Sequence, residues 1–276
     1  MQDFNDKTVY ITGGSSGIGL SCAQLLAQHG AHIIIFARTQ ERLTSALTII
    51  EGKRVSSRQR FACQALDVTN NAMVKQVMAE SVKAFGAPDI LINSAGRSEP
   101  GYFEDITPEH FDATMQVNMY GIWNTIAALA PDMKKMGGVI VNVSSVAGFL
   151  GIIGYTDYCA TKFAVIGFSE ALRQEFRRFG IMVAVLCPPD TDTPMLAAEN
   201  ITKPEETKAL AKNAKIMHPD DVARAMIKGI RKGRFLIIPG FDNNFFYILK
   251  RLFPSLVDFI IEHEIRKVQK NKNKFT

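Results

Sequence analysis

The sequence is poor in cysteine and lacks the cysteine spacings that are typical of disulfide frameworks and zinc sites. The four residues stand far apart, with no C-x-x-C pair, at Cys22, Cys63, Cys159 and Cys187. Cysteines scattered in this way are typical of reduced, mostly buried thiols and argue against a disulfide framework or a zinc site. We therefore expect a reducing compartment and no metal.

Long apolar segments are also missing. No stretch reaches the roughly 18 apolar residues that a membrane-spanning helix needs, and the first residues lack the basic-then-apolar order of a signal peptide. These absences predict a cytoplasmic protein. The 276 residues, 47% of them hydrophobic, suffice for one large domain with a sizeable core.

The net positive charge is concentrated at the C-terminal end. The net charge is +5, and residues 246–276 contain seven basic residues against three acidic ones. The rest of the chain is nearly neutral, unlike the basic face of a nucleic-acid-binding domain. We therefore expect no nucleic-acid partner.

Strand-like and helix-like segments alternate along most of the chain. The apolar, β-branched runs that predict strands are Thr8–Thr12, His32–Phe36, Ile90–Asn93, Val139–Val143, Met182–Leu186 and Phe235–Ile238. Helical spacing predicts helices over Leu20–His29, Gln40–Glu51, Asn71–Phe85, Pro108–Met136, Tyr155–Phe179 and Asp220–Lys232. Unbroken apolar strands are typical of a parallel sheet that is buried on both faces. The order predicts an α/β Rossmann fold, a doubly wound parallel sheet in three α/β/α layers.

A glycine-rich turn follows the first predicted strand. Residues 12–19 have the sequence TGGSSGIG, and a predicted helix begins at once. Glycines at 13, 17 and 19 let the backbone approach a pyrophosphate at the N-terminus of that helix. A purely structural β-turn is the alternative, but the position between strand and helix favours a dinucleotide site.

The second predicted strand ends without the acid that would bind the ribose hydroxyls of NAD. Ala37 stands at that point and Arg38 follows it. A guanidinium suits a 2′-phosphate by its charge and its forked donors. Arg38, helped by Ser15, therefore favours NADP(H); the alternative is a solvated surface arginine.

Tyr158 and Lys162 are four residues apart, so they share one face of a helix. The ammonium is expected to stabilise the phenolate and to lower the pKa of Tyr158 from its usual value of about 10. Ser145 stands at the end of a predicted strand, where doubly wound sheets bind ligands. A hydroxyl there can stabilise a carbonyl oxygen as negative charge develops on it. Taken alone, the Tyr/Lys pair could equally be a surface pair.

Together these motifs resemble the short-chain dehydrogenase/reductase family. The TGxxxGxG turn, the NSAG segment at 93–96, Asn118, Ser145 and YxxxK follow the order and spacing of that family over about residues 6–240. The resemblance implies that Tyr158 is the catalytic acid/base, that Lys162 binds the nicotinamide ribose, that Ser145 orients the carbonyl, and that Asn118 supports a proton-relay water. The implied cofactor-binding residues are Gly13, Ser15, Ser16, Gly17, Ile18, Gly19, Arg38, Asp67, Val68, Asn93, Ala95, Gly96, Tyr158, Lys162, Pro188, Thr191 and Thr193.

Two positions depart from the family pattern. The family usually has Pro-Gly after its sixth strand, whereas residues 188–194 have the sequence PPDTDTP. Because proline restricts the backbone, this loop, expected to hold the nicotinamide through Thr191 and Thr193, should differ in shape. Ser94 stands where many members have asparagine.

The segment after that loop carries a narrower resemblance. PPDTDTP followed by ENITKPEET at 199–207 is similar to the 3-ketodihydrosphingosine reductases of the family. This implies reduction of a long-chain aminoketone by NADPH to give dihydrosphingosine (sphinganine). Two other hypotheses stay open. One is a steroid, retinoid or general carbonyl reductase with the same catalytic residues; the other is a protein that senses NADP without turnover.

Two segments interrupt the alternation of strands and helices. We expect residues 1–240 to form the NADP-binding catalytic domain, with 194–216 as a substrate-loop insertion, and 241–276 to form an amphipathic basic tail. Such a tail suits peripheral contact with the cytoplasmic face of a membrane; the alternative is a helix docked on the enzyme or on a second copy. By analogy with the family, we expect a homo-oligomer, a dimer or tetramer, formed through Pro108–Met136 and Tyr155–Phe179.

Overall fold

The computed structural model describes residues 3–212 and 215–272. The start of the predicted catalytic domain (1–2), two residues of the predicted insertion (213–214) and the end of the predicted tail (273–276) lie outside the described residues.

A central parallel sheet organises the protein. Its strands are β1 (Thr8–Thr12), β2 (His32–Ala37), β3 (Phe61–Ala65), β4 (Ile90–Asn93), β5 (Gly138–Val143), β6 (Ile181–Leu186) and β7 (Leu236–Ile237). They lie in the order β3-β2-β1-β4-β5-β6-β7, and each neighbouring pair is parallel. The order reverses direction between β1 and β4, which confirms the predicted doubly wound sheet. We predicted no apolar run for β3, because this edge strand is only partly buried along its whole length.

Helices cover both faces of the sheet and complete the three predicted layers. They are α1 (Gly17–Gln28), α2 (Gln40–Glu51), α3 (Asn71–Phe85), α4 (Pro108–Met115), α5 (Gly121–Met136), α6 (Thr156–Phe176), α7 (Pro194–Thr202), α8 (Glu205–Ala211), α9 (Pro219–Arg231), α10 (Phe241–Leu252) and α11 (Pro254–Lys272). One apolar core joins α1, α2 and α9 to the sheet, and a second core joins α3, α5 and α6 to its opposite face. The alternating burial of strand residues such as Ile33 and Ile34 between the two cores explains the unbroken apolar runs.

The long helix predicted over Pro108–Met136 is interrupted. Between α4 and α5 the chain makes a π turn over Gln116–Tyr120, and Asn118 lies inside it. Such π turns occur frequently at functional sites. Hydrophobic periodicity does not reveal this turn, because its residues continue the helical direction on both sides.

The predicted insertion and tail pack on each other. The insertion forms α7 and α8, and α11 contacts α8. Val257 of α11 is fully buried, whereas about half of the large apolar residues of α10 and α11 are exposed. Among the described residues, no helix combines the length and apolarity needed to cross a bilayer. The division of the chain near residue 240 stays a prediction.

Candidate active site

One large cleft runs along the carboxyl ends of the strands. Its volume is about 1480 Å³, larger than the roughly 300–1,000 Å³ typical of a small-ligand pocket. We call one end the dinucleotide half; it is lined by residues 13, 15–18, 36–39, 42, 66–69 and 94–96. We call the other end the substrate half; it is lined by residues 143–147, 150–152, 155, 158, 188–191, 193–196, 198–199, 203, 207, 210–211, 242–243, 246 and 261.

The glycine-rich turn in the dinucleotide half leaves no room for larger residues. Gly13 has a φ of +68°, and a Cβ there would lie 2.7 Å from the backbone of Ser94 and Ala95. A Cβ at Gly19 would lie 2.4 Å from the Gly13 carbonyl oxygen, so Gly19 packs behind the turn and does not line the cleft. Helix α1 then begins at Gly17 with no acidic residue in its first turn. The positive end of the helix is therefore free to face a phosphate, as a pyrophosphate site requires.

Two arginines line the far end of the dinucleotide half. Arg38 follows β2, and Arg42 lies four residues further on, within α2. Sequence reasoning missed Arg42; the signal available was its i+4 spacing from Arg38. After the neighbouring strand β3, Asp67 Oδ1 accepts hydrogen bonds from Thr69 N at 2.9 Å and Thr69 Oγ1 at 2.8 Å. Val68 lines the same end.

Asn93 lies behind the cleft wall, although its family position implies a cofactor contact. It is 1% exposed, donates to Asn142 Oδ1 at 2.9 Å and accepts from Thr125 Oγ1 at 2.7 Å. Asn142 in turn donates to Ser169 Oγ at 2.9 Å. This buried network ties β4 and β5 to α5 and α6, so Asn93 supports the turn that places Ala95 and Gly96 in the lining.

The side chains of Ser145, Tyr158 and Lys162 come together where the two halves meet. Ser145 is near enough to Tyr158 to lower the pKa of its phenol, and the Ser145 Oγ accepts a hydrogen bond from Ala147 N at 3.1 Å. Lys162 Nζ lies 5.3 Å from the centre of the Tyr158 ring and donates to the Val143 carbonyl at 3.0 Å. These three of the four predicted catalytic side chains line the cleft.

The pKa of Tyr158 moves opposite to the direction we expected from its lysine neighbour. Burial raises this pKa above its usual value, the negative charge of Glu199 raises it further, and the nearby Ser145 hydroxyl lowers it. Lys162 is not among the groups that lower this pKa; its ammonium donates to the Val143 carbonyl and lies 5.3 Å from the centre of the Tyr158 ring. Burial also lowers the pKa of Lys162 to about 8.

Asn118 is enclosed next to the cleft. Its Oδ1 accepts from Arg97 N at 2.8 Å, and its Nδ2 donates to Arg97 O at 2.9 Å and to Thr161 Oγ1 at 3.0 Å. The side chain is fully buried and fastens the segment after Gly96 to α6. The water-supporting role that the resemblance implies stays a prediction.

Comparison with known protein families matches residues 7–204 to the model described as short chain dehydrogenase. The chain belongs to the short-chain dehydrogenase family. It is 38% identical over 233 residues to a 3-dehydrosphinganine reductase of Danio rerio, covering 84% of this chain and 70% of that protein. It is 37% identical over 246 residues to a 3-ketodihydrosphingosine reductase of Bos taurus, covering 88% and 73% respectively.

Solved structures agree with this assignment. The apo form of LigD from Sphingobium sp. has a TM-score of 0.77 at 28% identity, covering 93% of this chain and 98% of that one. A short-chain dehydrogenase from Burkholderia phymatum in complex with NAD has a TM-score of 0.80 at 24% identity, covering 93% and 96%. These findings confirm the predicted family and the Rossmann fold.

The PPDTDTP loop of this short-chain dehydrogenase is firmly anchored. Val146 N donates to the Pro188 carbonyl at 3.0 Å, and Thr191 Oγ1 donates to the Pro189 carbonyl at 2.8 Å. Thr193 caps α7 by accepting from Leu196 N at 3.2 Å. A Cβ at Gly17 would lie 2.9 Å from the Thr193 methyl group, so the loop approaches the glycine-rich turn closely. Pro188, Thr191 and Thr193 all line the cleft.

A charged cluster lies beside Tyr158 in this short-chain dehydrogenase. Lys203 Nζ lies 3.5 Å from both Glu199 Oε2 and Asp190 Oδ2. Tyr155 donates to Glu199 Oε2 at 2.7 Å, and its ring centre lies 5.6 Å from that of Tyr158. Asp190, Glu199 and Lys203 lie in the segments of the narrower resemblance, but sequence reasoning gave none of them a role. Tyr155 lies outside those segments and was missed, since it is 44 residues from Glu199 in the sequence.

Proposed function

We propose that this enzyme uses NADPH to reduce 3-ketodihydrosphingosine to dihydrosphingosine (sphinganine). The observation that carries the proposal is the grouping of Ser145, Tyr158 and Lys162 in a long cleft, in a chain whose relatives include 3-ketodihydrosphingosine reductases. Residues 1–240 would form the catalytic domain, with 194–216 contributing to the substrate half.

The dinucleotide half favours NADP(H). The guanidinium groups of Arg38 and Arg42 line its far end, where the ribose 2′-phosphate would bind, and Ala37 stands where NAD enzymes place an acid. Ser15, Ser16, Gly17 and Ile18 line the pyrophosphate end near the start of α1. Asp67 and Val68 would contact the adenine.

Four side chains take part in the proposed chemistry. Bound NADPH supplies the hydride. The Tyr158 hydroxyl donates a proton to the ketone oxygen, and the Ser145 hydroxyl stabilises the charge that develops there. Since burial keeps Tyr158 protonated, it is poised as an acid, the state that reduction requires. Lys162 would hold the nicotinamide ribose, and Asn118 would support the water that returns the proton.

The apolar part of the substrate half suits a long alkyl chain. Leu150 and Ile152 line it beside the catalytic residues, Leu210 comes from α8, and Phe246 and Ile261 come from α10 and α11. The lining from α10 and α11 lies beyond residue 240, so the tail would take part in binding the substrate.

A substrate panel tests the proposal. NADPH consumption is measured with 3-ketodihydrosphingosine, a ketosteroid and a simple aldehyde at matched concentrations. We expect the highest kcat/KM with the aminoketone. A higher value with the steroid or the aldehyde would favour a general carbonyl reductase. Binding of NADPH without turnover of any of the three would favour an NADP sensor.

We also propose that the tail contacts a membrane at its cytoplasmic face. Phe241, Phe245, Ile248 and Leu252 recur at helical spacing on α10, and each is more than half exposed. Phe259 of α11 is 68% exposed. Both tail hypotheses have support, since one side of the tail docks on the enzyme at Val257 and the other presents an apolar surface of the kind that lies in a lipid interface.

Flotation with phosphatidylcholine–phosphatidylserine vesicles tests the membrane contact. We expect the wild type to float with the vesicles and the variant Phe245→Ser/Ile248→Ser/Leu252→Ser to remain at the bottom of the gradient. The matched control Ile49→Ser/Val55→Ser/Met136→Ser removes exposed apolar residues elsewhere and should float. A wild type that does not float, with a tail variant that changes oligomeric state, would make this surface a subunit interface.

We propose in addition that the enzyme is a homo-oligomer. Tyr120, Trp123 and Phe163 are exposed apolar residues on the helical segments predicted to form the subunit contact. Light scattering on the eluted protein measures the mass directly, and Trp123→Glu should lower it towards that of a monomer. A monomeric wild type would contradict the proposal.

A further inference from the structure

The charged cluster beside Tyr158 contains more negative than positive charge. Lys203 is shared by two carboxylates, Glu199 and Asp190, each 3.5 Å away. With all three ionised, the cluster has one negative charge in excess. Glu199 and Lys203 are 6% and 5% exposed, and buried charges are costly unless they are paired. The buried Glu199–Lys203 pair is neutral by itself, so the excess negative charge is on Asp190, at the side of the cluster that is open to the cleft, where a cationic ligand could pair with it.

The acceptor atoms of the cluster are only partly used. The Tyr155 hydroxyl and Lys203 both contact Glu199 through Oε2, and Oε1 accepts no hydrogen bond from the described residues. Lys203 contacts Asp190 through Oδ2 only, and the side chain of Asp190 is 36% exposed. Glu199 and Asp190 both line the substrate half of the cleft. One carboxylate oxygen of each residue thus remains available to a ligand.

A single side chain, Tyr155, lies between the cluster and Tyr158, the proposed proton donor. Tyr155 joins Glu199 on one side and packs against Tyr158 on the other, with ring centres 5.6 Å apart. A cation held at Glu199 would therefore stand close to the carbonyl that Tyr158 protonates. In 3-ketodihydrosphingosine the amino group is on the carbon next to the ketone, so its ammonium would be a cation that lies close to that carbonyl.

We infer that Glu199 and Asp190 bind the ammonium group of the substrate and select 2-amino ketones over plain ketones. The inference rests on the proposed function, because it assigns the aminoketone's headgroup to a place in the same cleft. Tyr155 and Lys203 act as positioning residues that hold the Glu199 carboxylate. The alkyl chain then extends towards the apolar lining.

A pair of substrates tests this selection. KM is measured with 3-ketodihydrosphingosine and with 1-hydroxyoctadecan-3-one, which has the same chain but no amino group. A hydrogen bond between charged groups predicts a preference of about tenfold or more for the amino compound in the wild type. We expect Glu199→Gln to reduce this ratio about tenfold and Asp190→Asn to reduce it less, since Asp190 is more exposed.

The ratio separates recognition from packing. A general disturbance of the cleft raises KM for both substrates and leaves the ratio of the two values unchanged. A Glu199→Gln variant in which both KM values rise equally would therefore overturn the inference. Glu205→Gln is the matched control, because Glu205 lies outside the lining in an exposed pair with Lys208, and it should keep the wild-type ratio. Turnover of the plain ketone without turnover of the aminoketone would instead defeat the proposed function.

A measurement on the wild type keeps the test independent of folding of the variants. Dodecylammonium and dodecanol are compared as competitive inhibitors of ketone reduction. We expect the ammonium compound to inhibit at about one tenth of the concentration or less. Equal inhibition by the two compounds would overturn the inference.

Discussion

The two halves of the cleft are built by different means. The dinucleotide half is shaped by backbone, with Gly13 forced to be glycine by its φ of +68° and by the approach of the 94–95 backbone. The substrate half is shaped by side chains from α6, α7 and α8 and from the tail. The first is local in sequence and the second is assembled from distant segments. The contrast shows why cofactor binding can be constant across a family while the substrate varies.

Charge differs between the halves as well. The dinucleotide half presents Arg38, Arg42 and the positive end of α1. The substrate half contains the excess negative charge of Glu199, Asp190 and Lys203. An anionic cofactor and a cationic substrate would therefore be attracted to opposite ends, and Lys162, where the halves meet, belongs to both.

The largest effect is expected from Tyr158→Phe, which should separate turnover from NADPH binding. Removing the proton donor should lower kcat by about 10²–10⁴-fold, while NADPH binding, which depends on the dinucleotide half, is largely kept. Steady-state NADPH oxidation and a fluorescence titration of NADPH measure the two effects. Unchanged turnover would remove Tyr158 from the mechanism.

Gly13→Ala tests whether backbone alone shapes the dinucleotide half. The added Cβ meets backbone at 2.7 Å, so we expect a loss of about 3 kcal/mol or more in the free energy of unfolding. Gly233→Ala is the control: it has a similar φ of +63° but nothing within 4 Å, and strain alone should cost about 1 kcal/mol. Equal losses in urea unfolding would show that the close contact does not matter.

Arg38→Asp should change cofactor preference without affecting the ketone. Loss of a charged hydrogen bond to the 2′-phosphate should reduce the ratio of kcat/KM for NADPH to that for NADH by about 10–100-fold. Kinetics with both cofactors measure it. The exposed Arg58, outside the cleft, offers the control Arg58→Asp. An unaltered ratio in Arg38→Asp would make Arg38 an ordinary surface residue.

A pH-dependent effect is expected at Lys162, which the two halves share. Burial lowers its pKa to about 8, so the free enzyme loses this positive charge as pH rises through that value. We expect kcat/KM for NADPH, which reports the free enzyme, to be level below pH 8 and to fall up to about tenfold per pH unit above it. Lys162→Arg stays charged and should remove the fall; a wild-type profile that is level to pH 10 would contradict the assignment.

Much of the fold was predictable because its signals are local. Strands such as Ile90–Asn93 agree with the apolar run residue for residue, since burial on both faces requires an unbroken run. The π turn around Asn118 was not predicted, because its hydrogen bonds to Arg97 and Thr161 are long-range. The raised pKa of Tyr158 was missed for a related reason: spacing places Lys162 on the same face, but it does not say where the ammonium points or how deeply the phenol is buried.

The residues of the candidate site likewise fall into those that short motifs predicted and those that they did not. The glycine-rich turn, Arg38, Ser145, Tyr158 and Lys162 could be named from short motifs at strand ends, where parallel sheets bind ligands. Arg42, Tyr155 and the Glu199–Lys203–Asp190 cluster could not, since their roles depend on which loops meet over the cleft.

The amino-acid sequence alone determined the order of strands and helices, the glycines of the turn and the tyrosine–lysine pair, because each depends on neighbours within a few residues. Only the tertiary structure decided that Asn93 is a buried support, that the tail helps to line the substrate half, and that two carboxylates share one lysine beside Tyr158. Those outcomes depend on burial and on the distances between segments far apart in the chain, which only the folded arrangement defines.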